Sequence, residues 1–173
     1  MKTYDFTYLV DADPHADDFE DRFIEAGCDD ATFLLMRGAA ALSFDREATS
    51  FRDAALSAYR DIRRAGADVL RFEPDFLVSA AEIAERAHLS KQRVSYYIKG
   101  DRREGFPAPC ARVASKNPLW DWETVSQWLV EHQMLEESVH TEAAISRIIN
   151  ASAQMNRVVP TARIDIEAAL EAA

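Results

Sequence analysis

Residues 78–100 read V-S-A-A-E-I-A-E-R-A-H-L-S-K-Q-R-V-S-Y-Y-I-K-G, and the placing of capping and apolar residues in this stretch predicts two short helices joined by a tight turn. Ser79 can accept a hydrogen bond from the amide three residues on, and Glu82 stands where its carboxylate can reach back, the two halves of a capping box. Ile83, Ala84 and Ala87 share one helical face, Leu89 falls in the turn, Ser90 is a second N-cap, and Val94, Tyr97 and Ile98 recur at helical spacing. The pattern is that of a helix-turn-helix. Ala84 is small where the helices would cross, and Ile83, Leu89, Val94 and Ile98 are expected to fill the seam. The second helix then leaves Lys91, Gln92, Arg93, Ser95, Tyr96 and Lys99 facing outward.

That inventory suits the major groove of duplex DNA, where Arg and Lys pair with guanine, Gln pairs with adenine, and Ser, Tyr and Lys hold phosphates. A net charge of −10 looks wrong for such a partner until it is divided along the chain. Residues 1–76 sum to −8 and residues 121–173 to −6, whereas residues 77–120 sum to +4. A basic segment inside an acidic chain is an electrostatic footprint for nucleic acid. The basic residues beyond the second helix, Arg102, Arg103, Arg112 and Lys116, extend that footprint.

At 173 residues the chain can form one medium domain or two small ones with real cores. No leader-like N-terminus and no membrane-length apolar run is present, so a soluble cytoplasmic protein without membrane association is expected. Cys28 and Cys110 lack the partners and spacing of a metal site or disulfide framework, and both are expected to be reduced thiols.

Upstream, Tyr4–Val10 reads as a strand, Phe19, Phe23, Ile24 and Ala26 as a helical face ending at Gly27, and 32–36 and 40–44 as strands joined at Arg37-Gly38. A helix over roughly 47–64 and a strand at 68–72 complete the order β-α-β-β-α-β, which predicts a ferredoxin-like sandwich over residues 1–74. The acidic pairs Asp17-Asp18 and Asp29-Asp30, and Glu20, Asp21 and Glu25, have no nucleophile, glycine-rich loop or metal spacing beside them. They read as solvated surface, so no catalytic residue, metal or cofactor is assigned and no enzyme is expected. Pro74 closes this domain.

Downstream, Phe106-Pro107-Ala108-Pro109 is extended by its prolines, and 111–113 with 118–120 can form a small hairpin around Ser115-Lys116-Asn117. That hairpin is a wing offering Arg112 and Lys116 to the DNA backbone. Asp121 caps a further helix, in which Trp122, Val125, Trp128 and Leu129 recur at helical spacing. The three tryptophans could offer a stacking platform for single strands, but this spacing favours burial.

The motifs I-A-E-R-A-x-L-S-x-x-R-V-x-x-Y at 83–97, G-F-P at 105–107, and L-W followed by V-x-x-W-L at 119–129 resemble the winged helix-turn-helix of the MerR, excisionase and AlpA-like DNA-binding proteins. The resemblance implies a recognition helix in the major groove and a wing on the flanking backbone, in a domain spanning 77–130. One position departs from the pattern: His88 stands at a turn site often held by Gly, and His tolerates the left-handed region better than most residues. Residues 135–173 read as a helical extension, with Ala143, Ala144, Ile145, Ile148 and Ile149 apolar and an interruption at Pro160.

The fold class expected is therefore α+β, with a sandwich, a winged helix-turn-helix and C-terminal helices. The function expected is a sequence-specific, double-stranded-DNA-binding transcriptional regulator acting as a homodimer. Its DNA-contacting residues would be Ser90, Lys91, Gln92, Arg93, Ser95, Tyr96, Lys99, Arg102, Arg103, Arg112 and Lys116. The acidic N-terminal domain would dimerise or take a protein or small-molecule partner. The alternative is an antitoxin-like or phage-type interaction adaptor whose DNA binding serves only autoregulation.

Overall fold

A computed structural model describes residues 1–159 and 164–172. The fold is α+β and divides into two compact units, residues 1–74 with 148–173, and residues 75–147.

The first unit is built on a four-stranded antiparallel sheet in the order β2-β3-β1-β4, from β1 (Lys2–Asp11), β2 (Ala31–Met36), β3 (Ala39–Ala48) and β4 (Asp68–Glu73). Alternation along β1 buries Phe6, Tyr8 and Val10 on one face. Phe6 stacks with Phe44 of β3 and Phe72 of β4, each at 5.5 Å between ring centroids, so the three strands share one aromatic layer. Arg37 (φ 52°) and Gly38 (φ 85°) form the two-residue turn between β2 and β3, both in the left-handed region that a type I′ hairpin requires.

Helices α1 (Phe19–Glu25) and α2 (Phe51–Arg64) cover that aromatic face. Ala54, Ala55 and Ala58 are fully buried and let α2 approach closely enough for the Tyr8 hydroxyl to donate to the Ala55 carbonyl at 2.9 Å. Burial pushes the Tyr8 phenol well above its usual pKa, so it remains a donor. Two expectations change here. Glu47 and Ala48 belong to β3, because they pair with Thr3 and Lys2 of β1, and α2 starts only after its N-cap Ser50, which accepts from Asp53 N. Ile24 is 45% exposed, since the short α1 buries only Phe19 and Phe23.

Asp30 is not free surface either. The Arg46 guanidinium reaches across from β3 and bonds Asp30 in bidentate fashion (2.8 and 2.7 Å), Asp61 (2.7 Å), Ser57 (3.2 Å) and the Gly27 carbonyl (2.8 Å). Cys28 lies beside this cluster; burial first, then the nearby Asp61, pushes its thiol up to about 12, so it stays protonated at neutral pH.

In the second unit, β5 (Leu77–Val78) pairs antiparallel with β6 (Trp120–Asp121), and Ala111 bridges Leu119. Helices α3 (Ala80–Arg86), α4 (Lys91–Lys99) and α5 (Trp122–Glu131) pack on one core of Val78, Ile83, Ala84, Val94, Tyr97, Trp120, Trp122, Val125, Trp128 and Leu129. Leu89 is partly buried against it, while Ile98 is 38% exposed and does not fill the seam. Tyr97 takes the inner position that Ile98 was expected to hold.

The C-terminal segment does not stand as one extension. Helix α6 (Glu137–Val158) gives Val139 and Ala143 to the core of the second unit, whereas Ile149, Ala153 and, from α7 (Ile166–Glu171), Ile166 and Leu170 are buried in the first. Pro160 lies outside the described residues. No helix among the described residues is long and apolar enough to cross a membrane.

Candidate nucleic-acid interface

The helices that present the basic residues are fixed at their ends. Ser79 accepts from Glu82 N at 3.3 Å while the Glu82 carboxylate accepts from Ser79 N at 2.7 Å, a complete capping box that holds Glu82 below its usual carboxylate pKa. A depressed folded pKa means that this contribution is fully present above the unfolded value and is lost as pH falls through the folded one. Glu82→Ala is expected to lower stability by about 0.5–1 kcal/mol at pH 7 and by almost nothing at acid pH, measured by urea denaturation at both.

His88 takes the left-handed conformation the turn requires (φ 53°), with its amide donating to the Glu85 carbonyl at 3.1 Å. Ser90 then caps α4 by accepting from Arg93 N at 3.2 Å, and Gly100 ends it at φ 75°. Ser90 is thus committed to the helix end.

With Val94 and Tyr97 turned inward, helical geometry puts Gln92, Ser95, Tyr96 and Lys99 on the outermost row of α4. Gln92 Nε2 donates to the Tyr96 hydroxyl at 2.8 Å, and the Arg102 guanidinium lies 5.4 Å from the Tyr96 ring centroid. One flank of the helix, with Lys91, Ser95 and Ile98, forms a groove of about 520 Å³ against Lys116, Asn117 and Pro118 of the loop between Ala111 and Leu119, with Trp120 also lining it. Two lysines from different elements therefore border one groove. Arg112 (φ 51°) is exposed at the start of that loop, its carbonyl accepting from Ser115 N at 2.8 Å.

Arg93 and Arg103 are placed elsewhere. Arg93 Nε donates to the Tyr97 hydroxyl at 2.5 Å and its Nη2 to Met134 Sδ at 3.4 Å, on the flank of α4 opposite Lys91. Arg103 Nη1 donates to the His132 carbonyl at 3.0 Å, tying the loop to the end of α5. Both guanidiniums hold this unit together in the form seen here. The structure thus gathers Lys91, Gln92, Ser95, Tyr96, Lys99, Arg102 and Lys116 around one helix and groove, and adds Asn117, which the sequence reading passed over as a turn residue.

Charge is segregated in the same sense. Residues 91–116 carry seven basic and two acidic side chains, whereas α5 and the following residues to 142 carry Glu123, Glu131, Glu136, Glu137 and Glu142. Trp120, Trp122 and Trp128 are 3%, 4% and 6% exposed, which removes them as a stacking platform. Among the described residues no cluster of His, Cys, Asp or Glu could hold a metal ion. Comparisons with protein-family models, with curated proteins and with solved structures found no match to this chain.

Proposed function

We propose that this chain is a sequence-specific double-stranded-DNA-binding regulator. Residues 77–130 serve as a winged helix-turn-helix in which α4 enters the major groove and the loop between Ala111 and Leu119 acts as a short wing. The observation that carries this reading is the groove bordered by Lys91 and Lys116, beside an outer row of Gln92, Ser95, Tyr96 and Lys99 that the core does not use. Gln92 and Ser95 stand where base edges would pass. Lys91, Lys99, Arg102, Arg112 and Lys116 suit phosphates. The β-α-β-β-α-β order and the strand order of the first unit support a ferredoxin-like sandwich, and its negative charge would discourage non-specific contact with DNA.

Selection of bound duplexes from a random pool tests the reading, and a palindromic consensus is the expected result. With the selected site, replacing Lys91 and Lys116 together by Ala should flatten the dependence of log affinity on log salt by about 2, with nearly equal losses on all sequences. Gln92→Ala should instead cost about 1–3 kcal/mol on the selected site and relax the preference at one position. Failure to recover any duplex at low salt would sink the proposal and leave the adaptor reading.

A further inference from the structure

The two edges of the four-stranded sheet are finished differently. At the β4 edge, the side-chain amide of Asn150 closes both outward-facing backbone groups of Phe72: it accepts from Phe72 N at 2.9 Å and donates to Phe72 O at 2.9 Å. There it stands in for a neighbouring strand. The β2 edge has no such cover among the described residues. Asp45 N donates to Asp30 O, so alternation along the ladder turns the amides of Thr32, Leu34 and Met36 toward β3 and those of Phe33 and Leu35 outward. The sequence of β2, A-T-F-L-L-M, contains no charge and no proline, the usual protections of an edge. Leu34, Leu35 and Met36 are 38%, 53% and 56% exposed. They project to both faces: Leu35 lies on the helix-covered side with Phe33, and Leu34 and Met36 lie on the other, where Leu34 continues a row through Ala41 to Leu9.

We propose that β2 is a homodimer interface, in which β2 of a second copy pairs with it antiparallel and joins the two sheets into one of eight strands. The occupant follows from charge. Asp29 and Asp30 lie in the turn just before β2 and Arg37 in the turn just after it. Antiparallel pairing of two copies brings acidic end to basic end twice over, whereas parallel pairing would set like charges together. Asp30 is already held by Arg46, which leaves the exposed Asp29 for Arg37 of the second copy. Twofold symmetry requires one residue to oppose its own counterpart. Centring the pair on Phe33, whose amide faces outward, sets Leu35 opposite the small Ala31 and brings Asp29, in the turn before one β2, near Arg37, in the turn after the other. The outward amides of Phe33 and Leu35 are then satisfied, and exposed leucines on both faces are covered. The pairing uses no residue of the second unit and stands whether or not the chain binds DNA.

Sedimentation equilibrium of the full chain tests it. The unaltered protein is expected to be dimeric, and Leu35→Lys monomeric with an unchanged far-UV circular dichroism spectrum, since Leu35 is more exposed than buried. Asp29→Arg and Arg37→Asp should each weaken the dimer by about tenfold, each substitution acting at two symmetric sites, and the combined exchange should restore it. That rescue decides the matter even if Leu35→Lys disturbs the fold. A monomeric unaltered protein, or a dimer indifferent to Leu35→Lys and to both charge reversals, would overturn the proposal.

Discussion

Arg46→Met is expected to destabilise the first unit by about 3 kcal/mol, at the lower end of the cost of breaking a buried ion pair by removing one partner. Arg46 is the only cation hydrogen-bonded to Asp30 in the described structure, and it takes a second carboxylate, Asp61, from α2. The Arg46 side chain is 9% exposed, Asp61 15% and Asp30 31%, so two carboxylates would be left with poor access to water. Arg64 reaches Asp61 at 3.0 Å and softens the loss at that site, and the partial exposure of Asp30 softens it at the other. Arg46→Lys keeps the charge but cannot reproduce the fork that also bonds Ser57 and the Gly27 carbonyl, and should cost about half as much. Adding Asp30→Asn and Asp61→Asn to Arg46→Met should recover a good part of the stability. Urea denaturation followed by circular dichroism distinguishes these outcomes; equal stability of Arg46→Met and the unaltered protein would show the cluster to be ornamental.

Nothing in the sequence announces that cluster. Arg46 sits in D-R-E, a polar stretch that reads as the start of a helix, and Asp29-Asp30 reads as a loop. Only the pairing of residues 45–48 with β1 keeps that stretch extended and turns Arg46 to the same face as Phe44, where its guanidinium lies 4.9 Å from the Phe44 ring centroid. Strand and helix order were legible because they rest on local signals: aromatic alternation in β1, the Arg37-Gly38 turn, the Ala stripe of α2. The end of β3 was not, because register between distant strands sets it. The division of α6 was hidden for a related reason. Its apolar residues look alike in sequence, and only long-range partners, such as Phe72 for Asn150, show which unit each part joins.

The candidate interface was legible to a different depth. Caps at Ser79, Ser90 and Asp121, the left-handed His88 and the burial of the tryptophans follow from local chemistry. Which basic residues remain outward does not. Arg93 is the clearest instance: i, i+4 spacing places it one turn from Tyr97, and the hydroxyl of that buried phenol accepts from its guanidinium. A count of positive charges cannot separate such a residue from Lys91, which faces the groove.

The second large effect is expected at Trp128, where truncation to Ala should cost about 3–5 kcal/mol. Its ring lies 5.2 Å from Tyr97 of α4, 5.1 Å from Phe106 and 4.1 Å from His132, centroid to centroid, and its Nε1 donates to the Glu104 carbonyl at 3.4 Å. One side chain thus joins α4, the basic loop and the end of α5, and removing it leaves a cavity bordered by three rings that cannot close without moving α4. Trp128→Phe fills most of that space and should cost about 1–2 kcal/mol. The same pair of variants separates support from contact. A buried Trp128 predicts that Trp128→Phe, assayed well below its melting temperature, binds the selected duplex nearly as the unaltered protein does, while Trp128→Ala loses stability and affinity together. A stacking residue would instead lose affinity for single strands in both variants without a matching fall in stability. Thermal denaturation alongside duplex and single-strand titrations reads out the difference, and because Tyr97 also holds Arg93, the Ala variant should release that guanidinium and weaken the fixed presentation of α4.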